Sequence, residues 1–158
     1  MTRIRLIASV TAGAAFILGL VIETILMPMK GNAVLIPGLL DFVQVWNRGV
    51  SFSLFRQDGD MGRVLLIAVL AAIIIGVSVL AWRAASGVTA VAYGLIVGGA
   101  LGNLMDRGLH GAVFDYLFLH LGRMPLFVCN FPDIAISAGV ILLLGESFLA
   151  KSGVPADS

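Results

Sequence analysis

The sequence predicts an all-α membrane protein: a four-transmembrane-helix bundle with a small β-structured loop and a short interfacial helix at one end. Three observations carry that expectation. Hydrophobic residues make up 59% of the 158 positions and charged residues only 12%, against about 25% in soluble domains. A chain this short exposes too much surface for so few charges to keep it in water. Four apolar stretches approach the roughly 20 residues that a helix needs to cross a bilayer core. Backbone groups in lipid must be satisfied within their own segment, which selects helices.

The first span, residues 6–29, is interrupted only by Glu23. Arg3 and Arg5 ahead of an apolar run with Ala12, Ala14 and Ala15 also fit a cleaved signal peptide. The uncharged run is longer than a signal h-region, however, and favours a span. The second span, 64–82, and the third, 84–105, carry no charge. The fourth, 134–150, carries only Glu146, near its end. The chain is expected to form a single polytopic domain, with loops over 30–63 and 106–133 and a tight turn at 82–87.

Two crossings separate the long loops, so they share one side of the membrane and the termini share the other. Seven of the nine acids lie in these loops or just before them: Glu23, Asp41, Asp58, Asp60, Asp106, Asp115 and Asp133. Lys and Arg number six on the loop side and four on the terminal side, which would place the loops in the cytoplasm. That rule weakens for loops of this length, and charge alone leaves the orientation open. In residues 33–55, Val34, Ile36, Phe42, Val45 and Phe52 are strand formers punctuated by Pro37–Gly38 and Arg48–Gly49, which predicts short strands against the membrane surface. Residues 117–127 are apolar but too short to span, which predicts the interfacial helix.

Several function classes are poorly supplied. A net charge of +1 without a basic stripe offers nothing to nucleic acid. Cys129 is the only cysteine and His110 and His120 the only histidines, so disulfides, thiolate clusters and zinc sites lack ligands. Gly98–Gly99 and Gly102 resemble a phosphate loop only superficially, because no Lys–Ser/Thr follows and no strand precedes. Gly94, Gly98 and Gly102, four apart, instead form a small-residue ladder that lets helices approach closely. Cys129 reads as a buried filler rather than as a nucleophile with a histidine base.

The polar residues that remain are concentrated. Asn103 and Arg107 share a helix face with Gly99, and Asp106 lies above Gly102. They are either a helix end returning to water or a functional group facing the bundle interior. Asp115 is flanked by apolar residues. Asp133 follows Asn130 by three positions, as a first-turn acid follows an N-cap. Taken together, Asp115 and Asp133 lie where spans three and four meet water. Two carboxyls in one low-dielectric site do not both ionise, so one can polarise a carbonyl while the other deprotonates water, the chemistry of aspartic peptide hydrolysis.

Four blocks then occur in order: residues 47–53 (NRGVSFS), 98–107 (GGALGNLMDR), 113–116 (VFDY) and 130–133 (NFPD). In this order, within four spans, the chain resembles the lipoprotein signal peptidases, or signal peptidase II. The resemblance runs from the first span to the fourth. It implies an aspartic intramembrane protease of the bacterial inner membrane that acts on diacylglyceryl-modified prolipoproteins, cleaving before the lipidated cysteine. It implies catalytic roles for Asp115 and Asp133, and substrate-side roles for Asn47, Gly49, Asn103, Asp106, Arg107 and Asn130, with Glu23 in the place of a first-span acid. It also implies no metal or other cofactor, sensitivity to globomycin-type cyclic peptides, contact with membrane lipids, a monomer, periplasmic loops and cytoplasmic termini. Two departures stand out. The family's Asp–Gln–x–Thr–Lys in the first span is replaced from Glu23 onward, with the lysine absent. Cys129 and Pro132 stand where Phe and Ala are common.

On this basis the acylated segment is expected to enter sideways from the lipid, the loop 33–55 to close over it, and Arg107, Asn47 and Asn130 to hold its carbonyls. The helix N-terminus favours Asp133 as the anion, while apolar-flanked Asp115 keeps the proton. Two rivals use the same residues: a small ion-relay transporter, which needs acids at mid-membrane, and a catalytically inactive relative serving as a membrane scaffold.

Overall fold

A computed structural model describes residues 3–49 and 60–151. Along the chain run α1 (Arg3–Leu26), β1 (Ala33–Ile36), β2 (Leu40–Asn47), α2 (Asp60–Trp82), α3 (Gly87–His110), β3 (Val113–Leu121), β4 (Met124–Cys129) and α4 (Phe131–Lys151). Each helix contains a stretch long and apolar enough to cross a membrane. At 1.5 Å per residue their 21–24 residues reach about 32–36 Å, enough for the hydrocarbon core.

Helix α3 is the centre of the bundle and packs against α1, α2 and α4. The small-residue ladder makes this possible. A Cβ on Gly94 would stand 2.7 Å from Ala8 O of α1, and one on Gly98 would strike Ala12 O. On the other flank a Cβ on Gly99 would lie 2.5 Å from Pro132 O of α4, while Gly102 faces the Pro132 ring. Gly139 of α4 returns the contact, with Ala92 O 2.5 Å from its would-be Cβ. Packing at backbone distance replaces the hydrophobic drive that lipid removes. The turn between α2 and α3 is tight, as expected, and Ser86 caps α3 by accepting from Thr89 N at 3.0 Å. Glu146 of α4 accepts from the Ser86 and Thr89 hydroxyls, tying that helix to the cap.

The two loop segments meet in one antiparallel sheet of order β1-β2-β3-β4. Their pairing is direct: Val45 opposes Asp115 and Asn47 opposes Val113. Val34 and Ile36 lie in β1, and Phe42 and Val45 in β2, as the strand pattern suggests; Phe52 lies outside the described residues. One expectation is overturned. Residues 117–127 form no interfacial helix but the greater part of the β3–β4 hairpin, with Leu121 paired to Met124. Gly122, at φ +58°, makes the two-residue turn with Arg123. The β3 segment VFDYLFLHL is rich in aromatic and branched residues, and β2 beside it supplies the partner edge that a lone amphipathic segment would lack. Helix α3 also runs to His110, a turn past the apolar stretch, where Gly111 at φ +74° donates its N–H to Arg107 O.

Successive strand residues face opposite ways. Phe114 and Tyr116 share one sheet face, and with Phe42 they form a buried cluster against Ile22, Leu26 and Met27 at the end of α1 and against Phe131. Val45, Asn47, Asp115, Leu119 and Cys129 line a cavity on the other side.

Candidate active site

That cavity, about 1320 Å³, is bounded by β2, β3, β4, α2, α3 and α4. Asp115 and Asp133 both line it, with Asn47, Gly49, Asn103 and Arg107. The sheet brings Asp115 in from β3, and the first turn of α4 brings Asp133.

Each carboxyl is held by its own amide. Asn47 sits diagonally across the β2–β3 ladder from Asp115, and its Nδ2 donates to Asp115 Oδ2 at 3.1 Å. Asn47 Oδ1 in turn accepts from Gly49 N at 3.0 Å, which fixes the amide's orientation. Asn103 Nδ2 donates to Asp133 Oδ1 at 2.7 Å. Asp115 is only 2% exposed, and its Oδ1 has no hydrogen-bond partner among the described residues. Burial, with a smaller contribution from the Asp133 charge, pushes the Asp115 carboxyl up to about 7, against the pull of the Asn47 bond. A protonated carboxyl is therefore available at neutral pH.

Asn130 joins the two arms. Its Oδ1 caps α4 by accepting from Asp133 N at 2.9 Å. Its Nδ2 donates to Asn103 Oδ1 at 3.0 Å and to Phe114 O at 3.4 Å. Phe114, the residue before Asp115, is held at its other end as well, donating its N–H to Asp106 Oδ2 at 3.1 Å. Arg107 commits Nη1 to Asn103 O at 3.0 Å and Nη2 to Gly49 O at 2.7 Å. It thereby ties the end of β2 to α3 and places a guanidinium beside both acids.

The structure thus divides the expected site residues. Asp115, Asp133, Asn47, Gly49, Asn103 and Arg107 reach the cavity; Asp106, Asn130 and Glu23 are not among its lining. Asn130 is 1% exposed, and both ends of its amide are occupied by protein, so it is not placed to hold a substrate carbonyl. Glu23 stands in the last turn of α1, its carboxyl within 4.8 Å of Asp106 and His110. Cys129 also lines the cavity, yet burial pushes its thiol up to about 11, which keeps it protonated and a poor nucleophile.

Tyr116 escapes a reading of spacing alone. Its hydroxyl accepts from Phe131 N, the first helical N–H of α4, at 2.9 Å. Burial pushes the phenol up to about 12. The tyrosine thus bonds the strand that bears Asp115 to the helix that bears Asp133. The clue is alternation: Phe114 and Tyr116 flank the acid and must point away from it.

Fold and site together define a multi-pass membrane protein with a two-carboxyl centre near one end of its helices. A family model described as signal peptidase (SPase) II matches residues 9–149. Over 116 residues the chain is 53% identical to the lipoprotein signal peptidase of Methylorubrum extorquens, covering 73% of this chain and 68% of that protein. It is also 53% identical over 107 residues to the lipoprotein signal peptidase of Methylobacterium radiotolerans, covering 68% and 63%. A bacterial membrane enzyme solved by the in meso method at 2.3 Å shares the fold, with a TM-score of 0.78 at 23% identity over 96% of this chain and 92% of that one. The chain belongs to the signal peptidase II family, a family of peptidases.

Proposed function

We propose that this protein is an intramembrane aspartic endopeptidase that removes the signal peptide from diacylglyceryl-modified prolipoproteins by cleaving before the lipidated cysteine. It works in the bacterial inner membrane, with the sheet and cavity on the periplasmic side and both termini cytoplasmic. The observation that carries the reading is the presence of Asp115 and Asp133 in one cavity, each on a separate amide, with Asp115 in the range where it keeps a proton.

In the proposed reaction Asp133 takes a proton from water while the water oxygen bonds to the scissile carbonyl carbon. The carbonyl electron pair moves to its oxygen, which takes the Asp115 proton. In the second step the C–N bond breaks, the leaving nitrogen takes the proton held by Asp133, and Asp115 recovers its own as the new carboxyl forms. Asp133 suits the base role because it stands in the first turn of α4. Asp115 suits the acid role because burial keeps its proton. Arg107 and Asn47 hold the site's geometry beside the substrate; Asn130, Asp106 and Tyr116 hold the segments on which the acids stand. An ion relay fits less well, because these acids gather near helix ends.

The test is cleavage of a lipidated prolipoprotein by the purified chain, with and without globomycin. Asp115→Asn and Asp133→Asn should each lower kcat by at least about 1000-fold. Near-normal cleavage by either variant would refute the acid pair.

A further inference from the structure

The cavity's polar end and its membrane-side wall differ sharply. Beyond Asp133 the wall is apolar, from Leu70 of α2 and Ala100 of α3 to Ile134, Ala138 and Ile141 of α4. Ser137 interrupts it, and it is the only residue with a hydroxyl among the described residues lining the cavity. It stands four residues after Asp133, on the same face of α4 and about 6 Å along the helix axis. Its side chain is exposed.

Hydroxyls within apolar helices commonly turn back onto the carbonyl four residues earlier. Thr24 does so to Leu20 O and Ser78 to Ile74 O, both at 2.7 Å. Ser137 shows no such bond among the described residues. The wall therefore offers one donor, one turn from the acid pair, in surroundings that otherwise satisfy no polar group.

A substrate needs such a donor. For a carboxyl pair to reach a peptide bond, the segment that carries the bond must leave its helix locally. The unwound carbonyls then lie in a water-poor environment, where each must find a partner. Extended chain advances about 3.3 Å per residue, so the 6 Å from Asp133 to Ser137 corresponds to about two residues. The part of the substrate lying along the membrane-side wall is the signal segment, on the N-terminal side of the scissile bond.

We propose that Ser137 is a substrate-binding residue, donating a hydrogen bond to a substrate carbonyl oxygen about two residues on the signal-peptide side of the cleaved bond. The inference rests on the proteolytic reading above. An ester carbonyl of the diacylglyceryl group presents the same acceptor, and the substrate decides between the two sources.

The experiment measures KM and kcat for the full chain in lipid nanodiscs with a diacylglyceryl prolipoprotein. Ser137→Ala should raise KM about 3- to 10-fold, the range for one hydrogen bond. It should leave kcat within about twofold. Thermal unfolding should be unchanged or improved, since alanine is the better helix former. Ser137→Thr, which restores a hydroxyl, should return KM toward the wild-type value. Repeating the comparison with a dialkyl ether substrate separates the sources: a KM effect that persists assigns the bond to the peptide, and one that vanishes moves it to the ester and overturns the placement on the peptide. Equal KM values for wild type and Ser137→Ala, or a loss confined to kcat, would overturn the proposal while leaving the acid pair intact. A wild-type chain that fails to cleave would overturn both.

Discussion

Asp115→Asn should make the protein more stable as well as inactive, and the gain should depend on pH. The folded protein holds the Asp115 carboxyl near 7, against an ordinary value of 3.8, chiefly because the group is buried. The difference is about 3 units, and at 1.36 kcal/mol per unit it amounts to about 4 kcal/mol. Between pH 4 and 7 the folded state keeps a proton that the unfolded chain has lost. Wild-type stability from this group is therefore full below about pH 4, declines as pH rises, and levels off above 7. Asparagine does not titrate and can keep the contact with Asn47. Between pH 5 and pH 8 the variant should gain about 2–3 kcal/mol relative to wild type, integrating the same two values. For a chain of this size that widens the Tm gap by about 5–10 °C. Thermal unfolding in detergent at the two pH values measures it directly. A gap that stays constant, or narrows as pH rises, would refute the claim that Asp115 is held protonated by burial.

Two further predictions concern the scaffold. Gly99→Ala would place a Cβ 2.5 Å from Pro132 O and push the first turn of α4, with Asp133, away from α3; cleavage should fall at least about 10-fold. Gly145→Ala, on the same bundle with nothing within 4 Å, should leave cleavage unchanged and serves as the control. Asn130→Ala removes the α4 cap and the bridge to Phe114 O, so it should cost about 1 kcal/mol of stability and lower kcat with little change in KM. Asn130→Ser, which restores only the cap, should recover the stability but not the rate; recovery of both would show that the bridge is unimportant.

Much of this was legible in residue order. The four spans follow from runs of apolar residues, because lipid tolerates almost nothing else over that length. The meeting of the two polar loops follows from parity, since two crossings return the chain to the side it left. The ladder of Gly94, Gly98 and Gly102 signals close approach because only a missing Cβ permits backbone contact. The Asn130 cap is readable from its three-residue spacing to Asp133, a purely local relation.

What stayed hidden depends on partners distant in sequence. Residues 117–127 are apolar enough for either an interfacial helix or a strand, and the choice falls to β2, some 75 residues earlier, which offers an edge to pair with. The same pairing sets the register that brings Asn47 diagonally onto Asp115, and a slip of one residue would turn the carboxyl to the other face. Asp106, Asn130 and Glu23 carry the polar character of site residues, yet only packing shows them outside the cavity lining, while Ser137, chemically bland on paper, lines it. Composition and spacing determined by themselves that the chain is a four-span membrane protein with most of its acids at one end. The tertiary structure alone decided which acids share a cavity and which hold its walls, because burial and hydrogen bonding are properties of the assembled neighbourhood and not of the chain order.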